Sequence, residues 1–390
     1  MDPVKLLALV GLLVLGLLGH PTAVHGGRSC KFPAVYNFGD SNSDTGAISA
    51  ALSEVLPPNG ESFFGSPSGR FSDGRLVVDF IAEELKLPYL SPYLDSLGTD
   101  FRHGANFATG GSSIRLGGYS PFHLGIQINQ FLRFKSHTTA LYNQLTPING
   151  KRATSKGKLS RPEDFSKALY TFDIGQNDLA FGFQHTTEEQ VIASIPDILA
   201  NLSQAIHQVY EEGGRFFWIH NTGPIGCLPY NVIYYQSKPG TLDKNGCVRP
   251  QNAVAQEFNR QLKDMVLKLR SDHPLAVLTY VDVYSAKYAL ISSAKDLGFV
   301  DPLEFCCGSY YGYHIDCGKK ATVNGTVYGN PCKDPSRHIS WDGIHYSQAA
   351  NIWIAKHILN GSLSDPPVSI REACHYPKNV PFCFRFGRKA

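Results

Sequence analysis

Short apolar runs alternate with longer stretches of helical periodicity along most of this chain, and that alternation leaves few architectures open. Ala34 to Phe38 (AVYNF) is a buried-strand pattern ended by Gly39-Asp40, and Ala168 to Ile174 is another. From Glu188 to Glu212, Val191, Ile195, Ile198, Leu202, Ile206 and Val209 fall three or four apart, which defines one face of an amphipathic helix. Gly213-Gly214 ends it. Phe216 to Ile219 (FFWI) reads as a strand, Val254, Phe258, Leu262, Met265 and Leu269 mark a helix, and Ala276 to Val283 reads as a strand. Ala349 to Leu359 supplies a last helix. The order βαβαβ, with strands apolar on both faces, predicts a parallel sheet covered on two sides, a three-layer α/β/α sandwich.

Two stretches break the alternation. Residues 286 to 340, rich in Gly, Tyr and Cys, read as a long insertion or loop pinned by four cysteines between 306 and 332. The tail from Gly361 to Ala390 reads as a surface wrap. No linker divides the remainder, so 27–390 is expected to be one domain.

The first 26 residues read as a secretory signal peptide. Lys5 precedes the apolar run Leu6 to Leu18, and small residues follow near Val24 and Gly26. The run is short of the roughly 20 residues of a membrane span, so no stable anchor is expected. In the compartment that secretion implies, the cysteines (Cys30, Cys227, Cys247, Cys306, Cys307, Cys317, Cys332, Cys374, Cys383) read as structural disulfides. No C-x-x-C or H-E-x-x-H argues for a metal, and nine is odd, so at least one thiol is left over. Sequons at Asn201, Asn324 and Asn360 mark expected N-glycosylation sites.

Composition then removes function classes. An apolar share of 43% with 12% aromatics fills a core and excludes disorder along the whole chain. Net charge +3, with no run of five or six Lys/Arg, gives no track for a phosphate backbone, so no nucleic-acid partner is expected. Walker-type and dinucleotide glycine motifs are absent, as is the G-x-S-x-G elbow of the α/β-hydrolases. No metal or cofactor is expected.

The chemistry sits at the sheet's carboxyl edge. Phe38-Gly39-Asp40-Ser41-Asn42-Ser43-Asp44-Thr45-Gly46 places Ser41 just past the first strand, where open α/β sheets bind ligands. Alone, this reads first as a glycine-rich turn with helix-capping residues. Ser340-Trp341-Asp342-Gly343-Ile344-His345 offers a carboxylate and an imidazole three residues apart; alone, that is equally a surface turn. Together Ser41, His345 and Asp342 supply a nucleophile, the base that takes its proton and the carboxylate that orients the base. Acyl transfer also needs donors for an oxyanion. Gly104-Ala105-Asn106-Phe107-Ala108-Thr109-Gly110-Gly111-Ser112 offers backbone N–H groups, and Asp173-Ile174-Gly175-Gln176-Asn177-Asp178 offers the Asn177 amide; a tight turn and a helix cap are the plainer alternatives.

In this order the four segments, with Asn221-Thr222-Gly223-Pro224-Ile225-Gly226-Cys227-Leu228-Pro229 between the last two, resemble the plant secreted branch of the GDSL esterase/lipases, the SGNH hydrolases, including its early-nodulin, α-fucosidase-like and acetylesterase members. The resemblance covers nearly the whole chain after residue 26. It implies a flavodoxin-like α/β sandwich, with Ser41 as nucleophile and donor of one oxyanion N–H. It further implies Gly111, with Gly110 as the alternative, as the second donor, the Asn177 amide as the third, His345 as base and then acid, and Asp342 as its orienting partner. The expected activity is ester hydrolysis, with short acyl groups on a polysaccharide or glycoside as the leading substrate. Acylglycerol lipase, acyltransferase to a sugar or phenolic acceptor, and non-catalytic carbohydrate binding are the alternatives. Tyr310, Tyr311 and Tyr313 either stack on a sugar ring or pack a local core.

Overall fold

A computed structural model describes residues 29–95, 97–145, 157–235, 240–310 and 314–375. The expected signal peptide at 1–26, Tyr311, Tyr313, the tail beyond 375 and Cys383 lie outside them.

Five parallel strands form the sheet: β1 (Val35–Gly39), β2 (Gly104–Asn106), β3 (Leu169–Asp173), β4 (Phe216–His220) and β5 (Val277–Val281). β6 (Ala321–Val323) and β7 (Thr326–Tyr328) make a separate hairpin, and β8 (Ser364–Asp365) pairs antiparallel with β5. The strand order β2-β1-β3-β4-β5-β8 puts β1 and β3 side by side in the interior of the sheet. Every residue of β1 and β5 is buried, which is why both lack the polar alternation of a one-sided sheet.

The principal helices are α1 (Val77–Glu84), α2 (Leu124–Gln144), α3 (Gln176–His185), α4 (Glu188–Glu211), α5 (Arg249–Asp272), α6 (Val283–Ser292) and α7 (Gln348–Leu359). α2, α4 and α5 pack together on one face of the sheet, and α1, α6 and α7 on the other, giving the three-layer α/β/α sandwich. Thr187 starts α4 with a capping box, accepting from the Gln190 N–H while the Gln190 side chain accepts from the Thr187 N–H. The six residues that the periodicity assigns to its inner face are all buried.

Helix α6 runs to Ser292, well into the stretch that begins at 286 and reads as a loop. Its Val283, Tyr284, Ala286, Lys287, Leu290 and Ile291 are buried around much of its girth, so no polar face reveals a 3.6-residue period.

Four disulfides join eight cysteines: Cys30–Cys374, Cys227–Cys247, Cys306–Cys332 and Cys307–Cys317. The last two lie inside the Cys-rich stretch. Asn201 on α4, Asn324 at the β6–β7 turn and Asn360 after α7 are all exposed. Among the described residues no helix is long and apolar enough to cross a membrane.

Candidate active site

β1 delivers Ser41 to the carboxyl edge through a turn that only glycine can start. A Cβ on Gly39 would lie 2.3 Å from Ser43 Oγ and 2.7 Å from the Asp173 carbonyl. The amide of Gln127 on α2 spans this residue, accepting from the Gly39 N–H at 3.0 Å and donating to its carbonyl at 2.8 Å. Asp44 fixes the next turn, accepting from the N–H groups of Gly46, Ala47, Ile48 and Gly110.

His345 comes from the loop before α7. Its Nδ1–H donates to Asp342 Oδ2 at 2.6 Å, and Ser41 Oγ donates to its Nε2 at 2.7 Å. Asp342 Oδ1 also accepts the His345 N–H at 2.7 Å and the Ile344 N–H at 3.0 Å. Burial pushes the Asp342 carboxyl up, but His345 and these donors more than offset it and hold it below the usual carboxylate range. An ionised Asp342 at Nδ1 favours the imidazole tautomer whose Nε2 accepts from Ser41 Oγ. Phe71 stacks on the imidazole with ring centroids 4.9 Å apart.

Gly111, Asn177 and Gln176 line the same pocket as Ser41 and His345, a cavity of about 260 Å³. Asn177 Nδ2 donates one hydrogen to the Ser112 carbonyl at 2.9 Å, and its second remains for a ligand. Asp178 accepts from Ile114 and Arg115 N–H, tying the start of α3 to the glycine loop. The Gly110 N–H is spent on Asp44 Oδ2 at 2.7 Å, whereas among the described residues the N–H groups of Ser41 and Gly111 have no protein acceptor. A larger groove of about 810 Å³ between α4 and α5 lies toward the amino edge of the sheet, away from this chemistry.

Behind Ser41 sits a buried charge cluster. Burial, and then the nearby Asp173, push the Asp40 carboxyl up to about 7. Asp173 is held below the ordinary range, because His220, with Nδ1 3.3 Å from its carboxylate, and Lys287 outweigh its burial. Burial pushes the Lys287 ammonium down against the pull of Asp173 and Asp40, and Nζ sits 4.5 Å from the centre of the Tyr346 ring.

Two sulfur and imidazole groupings, Cys30–Cys374–His375 and Cys306–Cys332–His338, are close enough to hold an ion, but in each the sulfurs are joined and offer no thiolate.

The glycosylation sequons stand apart from the pocket. Phe71 and Gln176 carry no signal as site residues in the sequence. Nor does Gln127, an amide on the buried stripe formed by Leu124, Ile128 and Phe131 of α2.

A parallel sheet with a hydroxyl, an imidazole and a carboxylate in hydrogen-bonded line at its carboxyl edge defines a class, the ester hydrolases of the α/β/α type. The model of the GDSL-like lipase/acylhydrolase family matches residues 35–358, and the chain belongs to that family. A GDSL esterase/lipase of Arabidopsis thaliana is 54% identical over 96% of this chain and 99% of its own length. A GDSL esterase/lipase of Zea mays is 50% identical over 91% of this chain and 92% of its own. A protein named alpha-L-fucosidase 3, from Arabidopsis thaliana, is 48% identical over 93% of this chain and 98% of its own.

Proposed function

We propose that this ester hydrolase is a secreted serine esterase that removes short acyl groups from a carbohydrate or glycoside. The observation that carries the reading is the 2.7 Å contact of Ser41 Oγ with His345 Nε2, backed by Asp342 at 2.6 Å, in a pocket of about 260 Å³. So small a cavity suits an acetyl or similar group better than a long acyl chain.

Ser41 attacks the ester carbonyl while its proton passes to His345 Nε2. The N–H groups of Ser41 and Gly111 and the free hydrogen of Asn177 Nδ2 hold the oxyanion; the bond between Gly110 and Asp44 supports Gly111 over Gly110 in this role. His345 returns the proton to the departing alcohol, leaving the acyl group on Ser41 Oγ. Water, deprotonated by His345, attacks the acyl carbon and releases the acid. Asp342 steadies the imidazolium in both steps.

The fucosidase name of one relative suggests glycoside cleavage instead, which commonly needs two carboxyl groups flanking the bond. Among the described residues lining the pocket, Asp316 is the one carboxylate, and this favours the ester reading.

Ser41→Ala should lower kcat on p-nitrophenyl acetate by about 10⁴-fold or more and abolish fluorophosphonate labelling. A variant that hydrolyses at the wild-type rate removes Ser41 as nucleophile. Comparing acetyl-xylan, acetyl-pectin, acetylated glycosides and long-chain acylglycerols tests the substrate class; preference for the acylglycerols overturns it.

A further inference from the structure

The pocket holds polar groups that the acyl-transfer chemistry does not use. Gln176 is 9% exposed and lines the cavity beside Asn177, yet among the described residues its amide makes no hydrogen bond. The hydroxyl of Tyr235, another lining residue, is buried and also lacks a partner among them. Buried polar groups are nearly always paired, so the unspent Tyr235 hydroxyl, with the unbonded Gln176 amide in the same cavity, points to a polar ligand. At the mouth, His314 Nε2 lies 3.0 Å from Asp316 Oδ1, and Nδ1 lies 2.8 Å from the Tyr234 hydroxyl. That chain of polar groups is half-exposed and can exchange bonds with a ligand's hydroxyls.

We propose that these groups form an alcohol subsite for a ring polyol: the Gln176 amide and the His314–Asp316 pair bind the hydroxyls of a sugar whose acyl ester sits at Ser41. The proposal rests on the serine-esterase reading. The leaving alcohol collects its proton from His345 Nε2, so it lies beside the imidazole. The wall there is aromatic. Tyr230 and Tyr310 meet edge to face at 5.3 Å, and the Tyr230 N–H donates to the Gly343 carbonyl. Tyr310 itself is 6% exposed and wedged over Gly343, where a Cβ would lie 2.6 Å from its ring, so it shapes the wall rather than offering a free stacking face. An apolar wall with hydroxyl-binding groups at its depth and mouth matches a sugar, which has C–H faces and an equatorial belt of hydroxyls. An acylglycerol alcohol offers fewer hydroxyls to Gln176 and to the His314–Asp316 pair.

The test compares kcat/KM on an acetylated xylo-oligosaccharide with that on ethyl acetate, which shares the acyl group but lacks the ring. In Gln176→Met the ratio should fall about fivefold to tenfold, the worth of one hydrogen bond. His314→Ala, at a half-exposed position that spares the core, should lower it in the same direction, mainly through KM. An unchanged or raised ratio in both variants overturns the subsite. So does a wild-type enzyme that cleaves ethyl acetate but not the sugar ester. Fluorophosphonate capture at Ser41, run in parallel, separates the two readings: capture with an unchanged ratio sinks the subsite alone, and no capture sinks the nucleophile and the subsite with it.

Discussion

Around Ser41 the chain is fixed by many hydrogen bonds to buried side chains from distant elements, whereas around Trp341 it is fixed mainly by backbone hydrogen bonds to disulfide-linked cysteines, with one buried bond from Trp341 Nε1 to Asn59 at 2.8 Å. On the serine side, Asn37 bonds Ser43, Asn106 and Thr171, Gln127 reaches Gly39 from α2, and Asp44 gathers four N–H groups. On the histidine side, the N–H groups of Cys306 and Cys307 both donate to the Trp341 carbonyl, and each cysteine is itself in a disulfide. Tyr310 then presses on Gly343, between the carboxylate and the imidazole. Polar burial sets the position of Ser41 as part of the core, at high cost if one partner is lost. Disulfides hold a loop whose own core is small and leave its shape to the residues between them.

The largest expected effect on stability tests the polar half. Arg70 and Asp79 form a buried two-point ion pair, at 2.7 and 2.8 Å, that anchors the segment carrying Phe71 against His345. Asp79→Asn strands a buried guanidinium and should cost about 3–5 kcal/mol in chemical denaturation. A loss under 1 kcal/mol would show that this half does not depend on its buried charges.

Asn177→Ala should lower kcat by about a hundredfold or more, roughly 3 kcal/mol in the barrier, with the denaturation midpoint little changed. An unchanged kcat places the oxyanion donor elsewhere.

For the covalent half, replacing Cys307 and Cys317 together by Ser opens a link of sequence separation 10 and should cost at most about 3 kcal/mol. The two halves predict different kinetic signatures. Loosening this loop should raise KM for a sugar ester more than it lowers kcat, and an equal fall in kcat on ethyl acetate would mean the clamp positions His345 itself.

The smallest effect is a pH slope. Burial and Asp173 raise Asp40 to about 7 in the fold, against about 3.8 unfolded, so between those values the folded chain binds the extra proton. Its contribution therefore favours the fold at acid pH and fades as pH rises from about 4 through about 7. Asp173 and Asp342, both lowered, act oppositely and only below their unfolded range. Asp44 and Asp178, which burial raises to about 6, act in the same direction as Asp40, so the Tm should drop by a few degrees from about pH 5 to about pH 8 and Asp40→Asn should reduce that slope; an equal slope in the variant refutes the assignment.

The same contrast explains what could be read from the sequence. Strands β1, β3, β4 and β5 and helices α4, α5 and α7 are legible in the sequence, α4 and α5 through their polar outer faces, whereas the three-residue β2 and the long α2 are not; the G-D-S and W-D-G-I-H segments are legible because a hydroxyl, an imidazole and a carboxylate at sheet-edge positions are chemically complementary. Helix α6 was hidden by its own burial. Gln127 and Asp44 act on residues 88 and 66 positions away, and no local pattern announces such partners. Gln176 stood next to a recognised donor, but only the pocket shows that its amide is unspent. The wall built by Tyr230, Tyr310 and His314 depends on disulfide pairing, which spacing alone leaves open.

The link between Cys30 and Cys374 closes the folded core into a ring of covalent bonds. A single cut by a protease in any surface loop between them therefore leaves one molecule, with Ser41 and His345 still tethered on both sides of the break. For a nick outside the loops closed by Cys227–Cys247 and Cys306–Cys332, reduction of that one bond would leave two pieces with no covalent link.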